Sequence, residues 1–197
     1  AARKDVSFII PKTRALAATI QLKSISAGRI QSTELMATAE NDPLLREVNK
    51  KPQGFYQVIL SDSIANKLNV KSGDKIDGSL ARQFRGKRER VHINMQVIDV
   101  VPSTIVSRNV AFVSLELLLA TESFKDGQSV KALGWTGTPP QATHQFPSFR
   151  MYASSINEVE TLVTELEQQG VDVKANTAEI KTVQSIDHNL SIIFWII

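Results

Sequence analysis

The stretch VILSDSIANKLNVKSGDKI, residues 58–76, decides the fold. It opens with apolar, largely β-branched residues, which favour a strand. Ser61 or Asp62 can then cap a short helix whose apolar residues share one face. Gly73 permits the positive φ of a tight turn, and a second strand begins at Lys75. The stretch therefore predicts a strand–helix–turn–strand unit.

Extended segments lie on both sides of this unit, and the strongest helix signal comes late in the chain. There, Ser155 and Glu158 form a capping box, and Gly170 stands where a helix C-terminal glycine belongs. Residues 149–175 are therefore predicted to form a β-α-β unit. The first strand of the unit is predicted to begin at Phe55, before the quoted stretch, and to run to Leu60. Outside the unit, the predicted strands are 6–10, 16–22, 91–101, 110–113, 149–152 and 171–175.

The composition is that of a folded protein. The chain has 197 residues, of which 42% are hydrophobic and 22% charged, so it can build one large or two small cores. A net charge of +3 does not by itself call for a nucleic-acid partner. The absence of cysteine excludes disulfides, thiolate metal sites and cysteine nucleophiles.

The chain ends in an uncharged apolar run, LSIIFWII, at residues 190–197. A membrane-spanning helix needs about 20 such residues, and this run supplies fewer than half. We interpret it as the start of a truncated transmembrane helix. The alternative is a buried C-terminal strand or helix of an ordinary globular protein.

The sequence offers few residues for chemistry. His92, His144 and His188 are far apart and share no metal-ligand spacing with one another. No nucleophile elbow and no phosphate-binding glycine loop is present. We therefore predict no catalytic, cofactor-binding or metal-binding residue, and no cofactor, in this domain.

The sharpest polar feature is a basic segment at 82–90, between two predicted strands. One interpretation is a contact site for a partner or for lipid headgroups. The other is the solvated tip of a β-hairpin. Nucleic acid is disfavoured because stacking aromatics are nearly absent from the segment. Its cationic residues are Arg82, Arg85, Lys87, Arg88 and Arg90.

The unit at 58–76 resembles the strand–helix–Gly-Asp turn–strand unit in extracytoplasmic domains of MacB-like ABC transporter permeases, a superfamily that includes LolC, LolE and FtsX. The C-terminal part is similar too, and the resemblance covers most of residues 55–197. The segments that carry it there are 150–153, the capped helix up to Gly170, 171–174, 179–180 and 187–190.

The resemblance implies an α+β fold with two lobes. A membrane-proximal α+β lobe, with the β-α-β unit, would comprise residues 1–51 and 146–189. A mainly β lobe, residues 52–145, would be inserted between them. The proline-rich segment 134–147 has the composition of a linker where the chain would cross back.

The resemblance also implies a function. Such domains lie on the periplasmic side of the bacterial inner membrane and transmit ATP-driven motion, so that a substrate is exported or extracted. The implied partners are a cognate ABC ATPase, a second permease subunit, and a periplasmic adaptor or carrier protein. The domain itself would not be an enzyme, because ATP is hydrolysed on another subunit or domain.

Two alternatives belong to other classes of protein. One is a free-standing envelope module that binds lipid or peptide, with the apolar tail packed inside. The other is an envelope hydrolase, which would need a histidine within hydrogen-bond reach of a carboxylate and a serine.

Overall fold

The protein is described by a computed structural model, which covers residues 4–14, 18–48, 50–140 and 145–175. The chain divides into two compact units. One contains the described residues up to Ile9 and from Met151 onward, and the other is Ile10–Arg150. The larger unit is thus inserted in sequence between two segments of the smaller one.

Eight strands and three α-helices are present in the described residues. The strands are β1 (Val6–Lys12), β2 (Thr19–Ser24), β3 (Ile30–Thr38), β4 (Gln57–Ser61), β5 (Lys75–Phe84), β6 (Lys87–Val101), β7 (Val110–Ser114) and β8 (Ser148–Ala153). The helices are α1 (Asp62–Leu68), α2 (Leu115–Lys125) and α3 (Val159–Gln168). Short 3-10 turns lie at Pro43–Leu45, Lys131–Leu133 and Ile156–Glu158.

Six strands close into a barrel in the order β2-β3-β7-β4-β6-β5, and β5 pairs with β2 to complete the ring. The pairs β3–β7 and β4–β6 are parallel, and the other neighbours are antiparallel. β1 and β8 pair with each other in a separate two-stranded sheet. Closure leaves the barrel without the unpaired edges that an open sheet exposes along its whole length.

Alternating side chains fill the barrel. In β2, every second residue is buried, as expected for a strand with one face in a core. Leu60 of β4 and Ala111 of β7 pair across the sheet and are both fully buried in the barrel, whereas Ile59 and Phe112 on the opposite face pack with Met36, Leu45 and Val106. Helix α1 contacts β2 and β3 on one side of the ring and β4 and β6 on the other, so it covers one opening.

The predicted unit at 58–76 is confirmed as β4, α1, a turn and β5. Gly73 has φ of 95°, as the turn requires. Ser61 is the N-terminal cap residue of α1, although its hydroxyl accepts a hydrogen bond from the Val110 N–H instead of capping the helix. Asn69 ends the helix in the left-handed conformation.

The predicted fold class is wrong. The protein is mostly β with a closed six-stranded barrel, not an α+β fold with a β-α-β lobe. Two features account for the difference. β2 and β3 are barrel strands, although the predicted limits put residues 1–51 in the other lobe. Residues 171–175 form no strand, so the segment from 149 to 175 has only its first strand and its helix.

The smaller unit confirms the predicted capping box. Ser155 and Glu158 exchange both hydrogen bonds, and α3 follows directly. The helix ends in a Schellman motif, in which Gly170, at φ of 79°, donates to the Glu167 carbonyl and Val171 donates to the Leu166 carbonyl.

The apolar tail at 190–197 lies outside the described residues, as do His144 and His188. Within the part of the chain that the structure describes, no helix combines the length and the apolarity needed to cross a bilayer. The proposed truncated membrane helix therefore stays a prediction.

Candidate functional site

The basic segment lies on a long β-hairpin formed by β5 and β6. The two strands pair from Lys75 opposite Gln96 to Phe84 opposite Lys87. Arg85 and Gly86 make the connection, with φ of 49° and 76°. Two successive positive φ angles are typical of a type I′ turn, which suits the twist of a two-residue hairpin. The segment therefore lies on a β-hairpin with its turn at Arg85 and Gly86, and its interpretation as a contact site stays a prediction.

Arg82 is not part of the exposed tip. Its side chain is 1% exposed and forms an ion pair with Glu89, which lies opposite it on β6. The guanidinium also donates to three backbone carbonyls, those of Phe124 at 2.9 Å, Gln128 at 3.2 Å and Thr136 at 2.5 Å. Arg82 therefore joins the hairpin to the end of α2 and to the loop that follows it.

Two aromatic rings complete the surroundings of Arg82. Its guanidinium carbon lies 4.5 Å from the ring centre of Phe84 and 4.2 Å from that of Phe124. Trp135 packs edge-on against Phe124, with ring centres 5.3 Å apart. Such cation–π contacts strengthen when water is excluded, as it is here. Arg82 is thus a buried structural arginine that fixes the direction of the hairpin.

Lys125, at the end of α2, also contacts this hairpin. Its ammonium group donates a hydrogen bond to the Ala81 carbonyl, at 2.8 Å. Partial burial lowers the pKa of Lys125, because desolvation disfavours its charged form.

The other four cations of the segment are exposed. The Arg85 guanidinium lies 5.1 Å from the ring centre of Phe84, and Arg90 donates to the neutral oxygens of Gln21 and Ser79. Among the described residues, none of these four cations forms an ion pair with a carboxylate. They are Arg85, Lys87, Arg88 and Arg90.

A cavity of about 290 Å³ lies elsewhere in the larger unit, beside β3. Leu35, Met36 and Leu118 give it an apolar floor, and half-buried Lys12 lies at its rim. The buried hydroxyl of Thr13 also lines it and has no hydrogen-bond partner among the described residues. A cavity that combines apolar walls with a few polar groups is typical of a small-molecule site.

Arg150 forms part of the cavity wall and is held by buried Asp42. Its two terminal nitrogens donate to the two carboxylate oxygens of Asp42, at 2.9 and 2.5 Å. The same carboxylate accepts from the Thr38 hydroxyl and the Leu44 N–H. The charge of Arg150 is therefore compensated inside the protein. Arg14, which also lines the cavity, is paired with Glu122 and Asp126, so Lys12 is the lining cation for which the described residues show no ion pair.

The structure brings His92 next to a carboxylate but not into a hydrolytic arrangement. Its Nδ1 lies 2.8 Å from Asp77 on the exposed surface of the hairpin. Ser79 lies opposite His92 in the strand register, yet its hydroxyl bonds to Gln21 and accepts from Arg90. These contacts do not form a nucleophile–base pair, so the geometry around His92, which is the one histidine among the described residues, does not support the hydrolase alternative.

Metal and cofactor sites were not predicted, and the described residues offer no group of three or more acidic or histidine ligands that could hold a metal. Sequence reasoning missed the cavity altogether. Its lining comes from β1, β3, α2 and β8, which are distant in sequence. No local signal marks it apart from the polar Thr13 beside an apolar strand.

No protein-family model matches the chain, and no curated protein matches it significantly.

Proposed function

We propose that the chain is the extracytoplasmic domain of an ABC transporter permease, and that it transmits motion driven by ATP hydrolysis on another subunit or domain. The single observation that supports the proposal is that the larger unit, Ile10–Arg150, is inserted in sequence between the two segments that form the smaller unit. The chain passes between the two units at two places, next to Ile9 and next to Met151. A movement imposed on the two segments of the smaller unit is then passed to the barrel through two connections of the polypeptide chain.

The barrel suits a part that moves as a body. Its strands are hydrogen-bonded around a full ring, and its interior is packed with fully buried side chains such as Leu60, Ile76 and Met95. Packed cores resist compression and transmit strain. The order of β4, α1, the Gly73 turn and β5 adds support, because it carries the resemblance to the MacB-like permeases.

The proposal is tested on the full-length protein. We expect that protein to remain in washed membranes and to purify in detergent together with a nucleotide-binding subunit or domain that hydrolyses ATP. The barrel should be accessible to an impermeant label from outside the cytoplasm. Recovery of the complete protein in the supernatant of lysed cells, without an ATPase, would contradict the proposal.

A second function, a module that binds a small amphipathic ligand, is favoured by the cavity beside β3. Its test is Thr13→Val, which removes the buried hydroxyl and keeps the volume. If the cavity is a ligand site, decanoate should bind the wild-type chain and should bind the variant more weakly, as measured by calorimetry. Decanoate binding that is equal in the two proteins, or absent from both, would remove this alternative.

A further inference from the structure

We propose that the tip of the β5–β6 hairpin is a contact site for anionic phospholipid headgroups. The site consists of Arg85 at the turn and Lys87, Arg88 and Arg90 on the strand that follows. The proposal does not depend on the permease function, because it rests on the charges and contacts of the hairpin alone.

The tip carries an excess of positive charge that the protein does not neutralise. Glu89 is the one acidic residue between positions 82 and 90, and it is engaged by buried Arg82. The bonds of Arg90 go to the neutral side chains of Gln21 and Ser79, so they orient its guanidinium without cancelling its charge. Four cations therefore remain for an anionic surface, within six residues of chain.

The site is also preorganised. The type I′ turn fixes the tip; Arg82 of the hairpin donates to the Phe124 carbonyl of α2, and Lys125 of α2 donates to the Ala81 carbonyl of the hairpin. Phe84 is in contact with the guanidinium groups of Arg82 and Arg85. Because the backbone is already ordered, binding requires ordering of the four side chains only, which reduces the entropic cost.

Lipid fits this surface better than a protein or a single-stranded nucleic acid. Protein interfaces are built around apolar and aromatic residues, whereas the large exposed apolar side chains of the described protein all lie outside β5 and β6. Single-strand binders need open aromatic faces, and the one aromatic ring of the tip is contacted by arginines. Electrostatic attachment to an anionic bilayer needs basic residues alone.

The test measures binding of the 197-residue chain to vesicles by flotation. One set of vesicles is pure phosphatidylcholine, and the other contains about 30% phosphatidylglycerol, at about 0.1 M salt. The test variant carries Arg85→Gln, Lys87→Gln, Arg88→Gln and Arg90→Gln. A matched control removes four exposed cations outside the tip, through Lys23→Gln, Arg29→Gln, Lys71→Gln and Lys131→Gln.

We expect the wild-type chain to prefer the anionic vesicles. Each basic residue near an anionic bilayer strengthens binding about fivefold, so the test variant, which lacks four of them, should bind about 600-fold more weakly. The matched control should lose far less, and about 0.5 M salt should weaken wild-type binding. Urea unfolding of both variants confirms that they fold.

A third variant keeps the charge and changes its chemistry, with Arg85→Lys, Arg88→Lys and Arg90→Lys. It should bind anionic vesicles nearly as well as the wild type, since the attraction is between charges. Equal losses in the test variant and the matched control would overturn the proposal. So would tighter binding to a short DNA duplex than to the anionic vesicles at the same salt concentration.

Discussion

Arg82 is the residue on which the geometry of the hairpin depends. Replacing it by methionine leaves Glu89, the buried Phe124 carbonyl and two part-buried carbonyls without their donor, so we expect Arg82→Met to lower the free energy of unfolding by about 3 kcal/mol. Arg82→Lys should recover only part of this loss, since an ammonium cannot reproduce the planar fork. Urea denaturation measures both.

The matched control for Arg82 is Arg88→Met, at an exposed position on the same hairpin. This substitution should change the free energy of unfolding by no more than about 0.5 kcal/mol. If the Arg82 and Arg88 variants were equally stable, the contacts of Arg82 with α2 and the loop after it would not stabilise the hairpin.

Lys125 makes stability depend on pH at the alkaline end. Its pKa in the folded protein is below the ordinary value of about 10.5, because burial disfavours the charge. Between these two pKa values the unfolded chain binds more protons than the folded one, so the contribution of Lys125 to stability rises with pH. At a pH below both pKa values, Lys125 is charged in both states, and the folded protein bears the full cost of desolvating that charge.

The comparison protein for Lys125 is Lys125→Met, which has no charge to desolvate. The wild type should gain stability relative to the variant over the alkaline range up to about pH 10.5, as measured by urea denaturation of both proteins. A stability difference that stays constant over this range would show that the Lys125 ammonium is not desolvated.

At the scale of elements, the loop after α2 depends on Gly137. A Cβ at this position would collide with the backbone of Gly127 and Gln128, where the two stretches of chain run side by side. We expect Gly137→Ala to lower the free energy of unfolding by about 2–3 kcal/mol, because the backbone cannot move aside as a flexible side chain can. Thermal or urea unfolding provides the measurement.

Gly134→Ala is the appropriate control, because Gly134 has positive φ but open space around it. The strain of alanine at this positive φ should lower the free energy of unfolding by about 1 kcal/mol. The loop would not be packed as described if Gly137→Ala were the milder of the two substitutions.

The elements that sequence analysis predicted well are those defined by neighbouring residues. The unit at 58–76, the hairpin around Arg85 and Gly86, and the capping box at Ser155 each depend on contacts within a few residues or across one turn. Local propensity and turn chemistry are sufficient to specify such elements.

The features that sequence analysis missed depend on distant contacts. The barrel closes through the pairing of β2 with β5, where Gln21 lies opposite Ser79. The alternating pattern of β2 identifies a half-buried strand but not its neighbour. Arg82 resembled a surface cation for the same reason, since its carbonyl partners are 42, 46 and 54 residues away.

At the scale of the whole molecule, the two units should differ in local stability. Helix α2 of the larger unit buries six residues, whereas α3 of the smaller unit, which is similar in length, buries only Leu162. Regions with few buried contacts open at lower free energy. Amide hydrogen exchange should therefore be faster in α3 than in α2, and equal protection of the two helices would contradict this expectation.

We propose that ATP-driven motion reaches the barrel through the two chain connections next to Ile9 and Met151. The chain contains no cysteine, so spin labels can be placed at Lys71→Cys in the larger unit and Glu167→Cys in the smaller one, both exposed positions. The direct measurement is the distance between these labels by pulsed electron resonance, in the complete protein assembled with its ATPase. We predict that the distance distribution changes between the nucleotide-free and ATP-bound states, and a distribution identical in the two states would contradict the account.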